Sequence, residues 1–121
     1  MKINKKQLIH IIGIGGIGMS GIAEILNGLG YSVQGSDLCL NPNILRLRAK
    51  KIRVFIAHSK QNLKNVNLVI YSSAIKKNNI ELKFAKSNSI PSIPRSNILA
   101  QLVSLKKTIA VSGSHGKTTT T

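Results

Sequence analysis

Leu8-Ile9-His10-Ile11-Ile12-Gly13-Ile14-Gly15-Gly16-Ile17-Gly18 is an apolar run that passes without a spacer into a glycine-rich loop. The run reads as a buried parallel strand, because a strand covered on both faces shows continuous rather than alternating hydrophobicity. Gly13-x-Gly15-x-x-Gly18 fits the fingerprint of a dinucleotide-type phosphate loop. Gly13 permits the tight turn, Gly15 lets the backbone approach a diphosphate, and Gly18 is expected to allow close helix–strand packing. Ile22, Ile25, Leu26 and Leu29 recur at helical spacing, so a helix is expected from Met19 to Leu29, stopped by Gly30. The N-terminus of that helix attracts the anion. The fingerprint does not choose its nucleotide, since NAD and a UDP-sugar both carry a pyrophosphate.

Working outward, Tyr31-Ser32-Val33-Gln34-Gly35 reads as a second strand ending at Ser36-Asp37. Asp37 falls about 20 residues after the loop, in place to accept a hydrogen bond from a ribose hydroxyl. Pro42 opens a second helix that runs to about Lys50. Ile52 to Ile56 is a third strand, and Ser59 caps a short helix ending at Leu63. Asn67 to Tyr71 is a fourth strand, delivering Ser72-Ser73 at its end. A helix covers Ile80 to Ser87, and an extended piece runs from Ile90 to Ile93. Ser96 or Asn97 caps a further helix to Leu105. Strand and helix alternate, the pattern of an α/β fold with a parallel sheet. Residues 1–94 complete one unit, and residues 95–121 begin a second.

That second unit carries Thr108-Ile109-Ala110-Val111 as a strand, then Ser112-Gly113-Ser114-His115-Gly116-Lys117-Thr118-Thr119-Thr120-Thr121. Gly113 and Gly116 let the backbone curl so that successive N–H groups face an anion. Lys117 supplies a positive charge for β- and γ-phosphates, and the Thr118 hydroxyl is placed to ligate Mg²⁺. The first glycine of the longer Walker pattern would fall at Val111, so this is a shorter P-loop. A helix should follow such a loop, and the sequence therefore reads as a truncated piece of a nucleoside triphosphate-using protein.

With 42% hydrophobic residues in 121, the chain is long enough for one domain with a modest core. The 18 Lys and Arg against 3 Asp and Glu leave a formal charge of +15. Charge of that size favours polyanions. Yet the lysines are scattered, and Tyr31, Phe55, Tyr71 and Phe84 are too few for a base-stacking platform. The charge is read as solvated faces, with no nucleic-acid partner. No apolar run approaches the roughly 18 residues of a membrane span. The basic start lacks a clean signal-peptide pattern, so no membrane insertion and a cytoplasmic location are expected. Cys39, the single cysteine, fits a reducing compartment and is read as an inert loop or core residue.

The remaining polar residues divide into structural and site candidates. His10, within a strand, is read as structural. His58 ends the third strand, where α/β sheets place ligands, and both readings stay open. His115 lies within the P-loop. Arg95 is open between an anion ligand and a surface charge. Glu24 and Glu81, two of the three acids, are read as helix-surface charges without an acid–base role. Three scattered histidines and one cysteine make no metal site of their own.

Taken in order, Gly13-Ile-Gly-Gly-Ile-Gly-Met-Ser-Gly21, Gly35-Ser-Asp37, Ser72-Ser-Ala-Ile75 and Gly113-Ser-His-Gly-Lys-Thr-Thr-Thr-Thr121 resemble the Mur ligases along the whole chain. The first segment resembles the alanine-adding member more than the later enzymes of that pathway. The resemblance implies a cytoplasmic enzyme of peptidoglycan synthesis whose first domain is Rossmann-like and binds the UDP part of UDP-N-acetylmuramate. It implies that Gly15, Gly16 and Gly18 face the diphosphate, Asp37 the uridine side, and Ser72 and Ser73 the substrate near the domain cleft. It also implies ATP and Mg²⁺ at Gly113, Ser114, His115, Gly116, Lys117, Thr118 and Thr119, with Thr118 on the metal. Lys117 is then the catalytic residue, stabilising charge on the transferred phosphoryl group as L-alanine is joined.

Departures from the family pattern are Ser114 for Thr, Ala57 for the Gly before His58, Ile80 for Pro in Asn-Pro-Glu, and Gln101 for an acid. The family's further Mg²⁺ ligands and amino-acid-binding domain would lie beyond residue 121, so catalysis by this chain alone is not expected. The alternative reading is a free-standing NAD(P)-binding module, and a third is a polyanion-binding protein resting on charge alone. The oligomeric state is not legible.

Overall fold

In the computed structural model residues 7–98 are described. They form a five-stranded parallel sheet of order β3-β2-β1-β4-β5. The strands are β1 (Leu8–Ile12), β2 (Ser32–Asp37), β3 (Arg53–Ile56), β4 (Leu68–Tyr71) and β5 (Ser92–Pro94), joined through α1 (Ile17–Gly28), α2 (Pro42–Ala49) and α3 (Ile80–Ser87). The expected elements are all present over these residues, with ends displaced by one or two positions. Helix at residues 95–98 begins at Arg95, ahead of the expected Ser96 or Asn97 cap, and the strand at Thr108 lies outside the described residues.

Period-two alternation sorts each strand between two cores. Ile9 and Ile11 of β1, Val33 of β2 and Leu68 and Ile70 of β4 pack with α1 and α2 through Ile14, Met19, Ile22, Leu26, Ile44 and Leu47. Ile12 and Val69 face the opposite side, with Leu63, Val66, Leu82 and Ala85. Ile98 is fully buried in the first cluster, so the helix at 95–98 is seated on this sheet. The run Leu8–Ile12 shows no simple alternation because helices cover both faces.

Local signals explain where the helices start. Asn41 caps α2 by accepting from the Ile44 N–H at 2.9 Å, with Pro42 behind it. Asn79 caps α3, accepting from Glu81 and Leu82. The N-cap of α1 is Gly16, which offers no side chain, and no acidic residue stands in the first turn. The Ser20 N–H closes the first helical bond onto the Gly16 carbonyl at 2.8 Å, while among the described residues the N–H groups of Ile17, Gly18 and Met19 have no capping side chain. The chain crosses from β3 at one edge past β1 to β4, so sheet order reverses between β1 and β4. In open α/β sheets the crevice at that reversal, beyond the carboxyl ends of the strands, is where ligands bind.

Candidate functional site

The glycine loop leaves β1 at that reversal. Gly13 has φ +82°, and its N–H and that of Ile14 both donate to the Ser36 carbonyl, at 2.8 and 3.1 Å. A left-handed residue here turns the chain sharply across β2. A side chain at Gly13 would touch Ser72 Cβ and Ile75 Cδ1, each at 3.4 Å. The loops after β1 and β4 are thus in contact, and the structure brings the glycine turn and Ser72 together. Ser72 Oγ accepts from the Ala74 N–H at 3.1 Å, while Ser73 is exposed.

On the other flank the β2–α2 loop clamps Gly15. Its N–H donates to Asp37 Oδ2 at 2.8 Å. Its carbonyl accepts from Asn41 at 3.2 Å and Asn43 at 3.0 Å. A Cβ on Gly15 would lie 2.7 Å from Asp37 Oδ2 and 2.9 Å from Asn41 Nδ2. The other Asp37 oxygen accepts from the Leu38 N–H at 2.7 Å. Gly16 is exposed at the mouth of the loop.

Gly18 was expected to let α1 pack closely on a strand, and the structure gives a different reason for it. The three nearest atoms to a Cβ at Gly18 all belong to the Arg95 side chain, and Nη1 would overlap it. The absent side chain makes room for a guanidinium group, not for the sheet.

Glu81 is the main correction to the sequence reading. It is not a helix-surface charge: it is fully buried, beneath the carboxyl ends of β1 and β2. One oxygen accepts from His10 Nε2 at 2.8 Å and Ser36 Oγ at 2.5 Å. The other accepts from the Ser59 N–H at 3.0 Å and Asn62 Nδ2 at 2.7 Å. Burial alone would raise its pKa. The bond and attraction from His10, with Ser36 and Asn62, outweigh that and hold it down to about 2. A strand histidine, a strand serine and an asparagine lie far apart in sequence, and only the sheet register, which pairs His10 with Gln34, assembles them. The sequence signal was faint: Asn79 at a cap position puts Glu81 in the first turn of α3.

This network also sets the protonation pattern of His58. Ser36 has one hydroxyl proton and donates it to Glu81. Its oxygen, 2.9 Å from His58 Nδ1, must therefore accept, so Nδ1 carries a proton. Neutral His58 then has Nε2 as its acceptor. His10 Nε2 donates to Glu81, and its Nδ1 lies 2.9 Å from the Gln34 side-chain amide nitrogen. His10 is structural, as expected from its place in the strand.

Ala57, just before His58, has φ +148°, a conformation suited to glycine. The strain is held by Asn62, which donates to the Ala57 carbonyl at 2.9 Å and also to Glu81. Ala57→Gly is expected to stabilise the protein by about 1 kcal/mol, net of the extra chain entropy of glycine. That is a rise of about 4 °C in Tm, read by thermal unfolding. An unchanged or lower Tm would show that Ala57 is unstrained in solution.

Gly113, Ser114, His115, Gly116, Lys117, Thr118 and Thr119 lie outside the described residues. Among the described residues no group of three or more His, Cys, Asp or Glu could hold a metal ion, and no helix is long and apolar enough to cross a membrane.

Comparison with known proteins agrees with this geometry. Residues 8–107 match the profile of the Mur ligase family, catalytic domain. A UDP-N-acetylmuramate–L-alanine ligase of Rickettsia typhi is 61% identical over 113 residues, which is 93% of this chain and 23% of that protein. That of Rickettsia bellii is 59% identical over 115 residues, 95% of this chain and 24% of that protein. The chain thus spans about a quarter of the length of these relatives. Among solved structures, the UDP-N-acetylmuramate-alanine ligase of Thermotoga maritima superposes with a TM-score of 0.79 at 32% identity, over 82% of this chain and 23% of that one. A UDP-N-acetylmuramate:L-alanyl-gamma-D-glutamyl-meso-diaminopimelate ligase from Neisseria meningitides gives 0.73 at 26%, over 78% and 30%.

Proposed function

Because the chain belongs to the Mur ligase family, we propose that it carries the UDP-substrate domain of an ATP-dependent ligase joining L-alanine to UDP-N-acetylmuramate in peptidoglycan synthesis, in the cytoplasm. The observation that carries this is the clamped Gly13–Gly18 loop at the sheet reversal, in contact with Ser72, in a chain 61% identical to such a ligase. Residues 1–94 form the UDP-binding domain and residues 95–121 open the ATP-binding domain. Gly15, Gly16 and Gly18 line the diphosphate side of the loop, and since the Gly15 and Gly16 N–H groups are held by Asp37 and the Gly13 carbonyl, the donors come from the uncapped first turn of α1, which favours negative charge. Asp37 stands on the uridine side, and Ser72 and Ser73 on the muramoyl side.

In the reaction the muramoyl carboxylate takes the γ-phosphoryl group of ATP, and the amine of alanine displaces phosphate to form the amide. Lys117 would neutralise charge on the transferred group. The pattern Gly113-x-x-Gly116-Lys117-Thr118 supports ATP, with Mg²⁺ held through the Thr118 hydroxyl. The activity is that of the whole ligase; these residues contribute recognition of the UDP substrate.

Calorimetric titration of the purified chain with UDP-N-acetylmuramate, NAD and ATP at fixed salt tests this. Selective binding of the UDP compound is expected. Preference for NAD would overturn the assignment in favour of a dinucleotide module. Indifferent, steeply salt-dependent binding of unrelated polyanions would overturn it in favour of a charge-driven binder.

A further inference from the structure

We propose that the cleft between α3 and the short 3-10 helix Lys60–Leu63 is a docking site for an acidic segment of a second, different protein, which seats an apolar side chain between lysines. The site is independent of the UDP-substrate reading, because α3 and Leu63 pack on the second core cluster, across the sheet from α1 and α2. The cleft has a volume of about 420 Å³ and is lined by Lys60, Asn78, Ile80, Lys83, Phe84 and Ser87. Ile80 and Phe84 stand one turn apart on α3 and supply its apolar surface. Ile80 is 51% exposed at the first position of the helix, where Asn79 already provides the cap, so its side chain serves neither the core nor the helix start.

Charge decides what can cover this surface. The segments that form the cleft add Lys64, Lys76, Lys77 and Lys86 to Lys60 and Lys83, and all six lysines are exposed. The one acid on these segments, Glu81, is buried in its network. Among the described residues Lys60, Lys83, Asn78 and Ser87 have no ion pair and no side-chain hydrogen bond. A second copy of the chain cannot supply the missing anions. Its Glu24 is paired with Arg46 and Lys50, its Asp37 accepts from Gly15 and Leu38, and two such faces would bring like charges together. A nucleic-acid backbone would satisfy the lysines but leave Ile80 and Phe84 wet. A flat bilayer cannot enter a concave site, and the cleft is too open to bury most of a small ligand. Carboxylates flanking one apolar side chain match both the lysine rim and the apolar centre, the anatomy of a protein–protein contact.

The test titrates the full chain, by NMR and calorimetry at physiological salt, with a synthetic peptide of Glu and Asp that carries Leu and Phe one helical turn apart. The comparison probes are the same peptide with Ser in place of Leu and Phe, a single-stranded oligonucleotide, and phosphatidylglycerol vesicles. The first peptide is expected to bind at least about 5-fold tighter than its Ser analogue, with amide shifts centred on residues 60–63 and 80–87. Lys60→Gln with Lys83→Gln should weaken it about 5- to 10-fold, and Ile80→Ser about 5-fold. Lys51→Gln with Arg53→Gln removes the same charge from exposed positions elsewhere and should leave affinity within about 2-fold. All these side chains are exposed, so each variant should keep its Tm within about 3 °C. Equal binding of the two peptides, or equal loss from the two charge-removing pairs, overturns the proposal and leaves general attraction to a chain of charge +15. Oligonucleotide or vesicle binding that outcompetes the peptide and depends on Ile80 overturns it in favour of that surface. Self-association of wild type that is lost in Ile80→Ser overturns it in favour of a second copy. Absence of saturable peptide binding overturns it outright.

Discussion

Glu81→Ala is expected to destabilise the protein by about 3–5 kcal/mol, the cost of removing one member of a buried, hydrogen-bonded charge cluster. His10, Ser36, Asn62 and the Ser59 N–H would all lose their acceptor at once. Glu81→Gln should not rescue it. Every group facing the carboxylate donates, so the amide NH₂ must point at a donor, and a loss of about 2–3 kcal/mol remains. Urea unfolding at neutral pH measures both. A change below about 1 kcal/mol for either variant would mean the network is replaced by water or by local rearrangement.

The same carboxylate predicts an acid limb. Its pKa is depressed from 4.5 to about 2, so its stabilisation is complete above about pH 5 and is lost as pH falls toward 2. Wild type should therefore lose stability over that window more steeply than Glu81→Gln, which has no carboxylate to protonate there. The ring-nitrogen shifts of His58 give an independent readout, since without Glu81 the Ser36 proton is free and Nδ1 of His58 is no longer held protonated.

Gly35→Ala is expected to cost about 3 kcal/mol, the upper part of the range for overpacking a core. Gly35 sits in β2 opposite Ile11 of β1. An added Cβ would lie 2.6 Å from the Ile11 carbonyl oxygen, 2.7 Å from Ile14 Cβ and 2.5 Å from its Cδ1. The Ile14 side chain can rotate, but the Ile11 carbonyl belongs to the sheet and cannot move without shifting β1. Gly21 is the control: a Cβ there meets nothing within 4 Å, so Gly21→Ala should stabilise α1 by about 0.5–1 kcal/mol. Denaturant midpoints of the two variants should move in opposite directions. If both fall alike, the β1–β2 contact at Gly35 is not the cause.

Much of this was legible in the residues themselves. The strand at Leu8, its glycine loop, Pro42 behind an Asn cap and the alternation of elements required a parallel α/β sheet, because each signal is local and acts within a turn or a strand. Asp37 and Ser72 were placed at the ends of β2 and β4, because strand ends announce themselves in sequence. Glu81 was misread for the opposite reason: an acid in a first helical turn looks the same whether solvent or a neighbouring strand faces it. Gly18 was assigned to helix–strand packing, since nothing local showed that Arg95, 77 positions on, would fill the space beside it.

The sequence by itself determined the element order, the tight glycine turn that follows β1 and the ligase family, since turn chemistry and hydrophobic period are properties of short segments. Only the tertiary structure decided what each charge does. Strand register, not spacing, brought His10, Ser36, His58 and Glu81 within hydrogen-bonding distance, and the crossover from β3 to β4 brought Ser72 against Gly13. Electrostatic roles depend on distance and burial across elements, and those distances exist only once the sheet has closed.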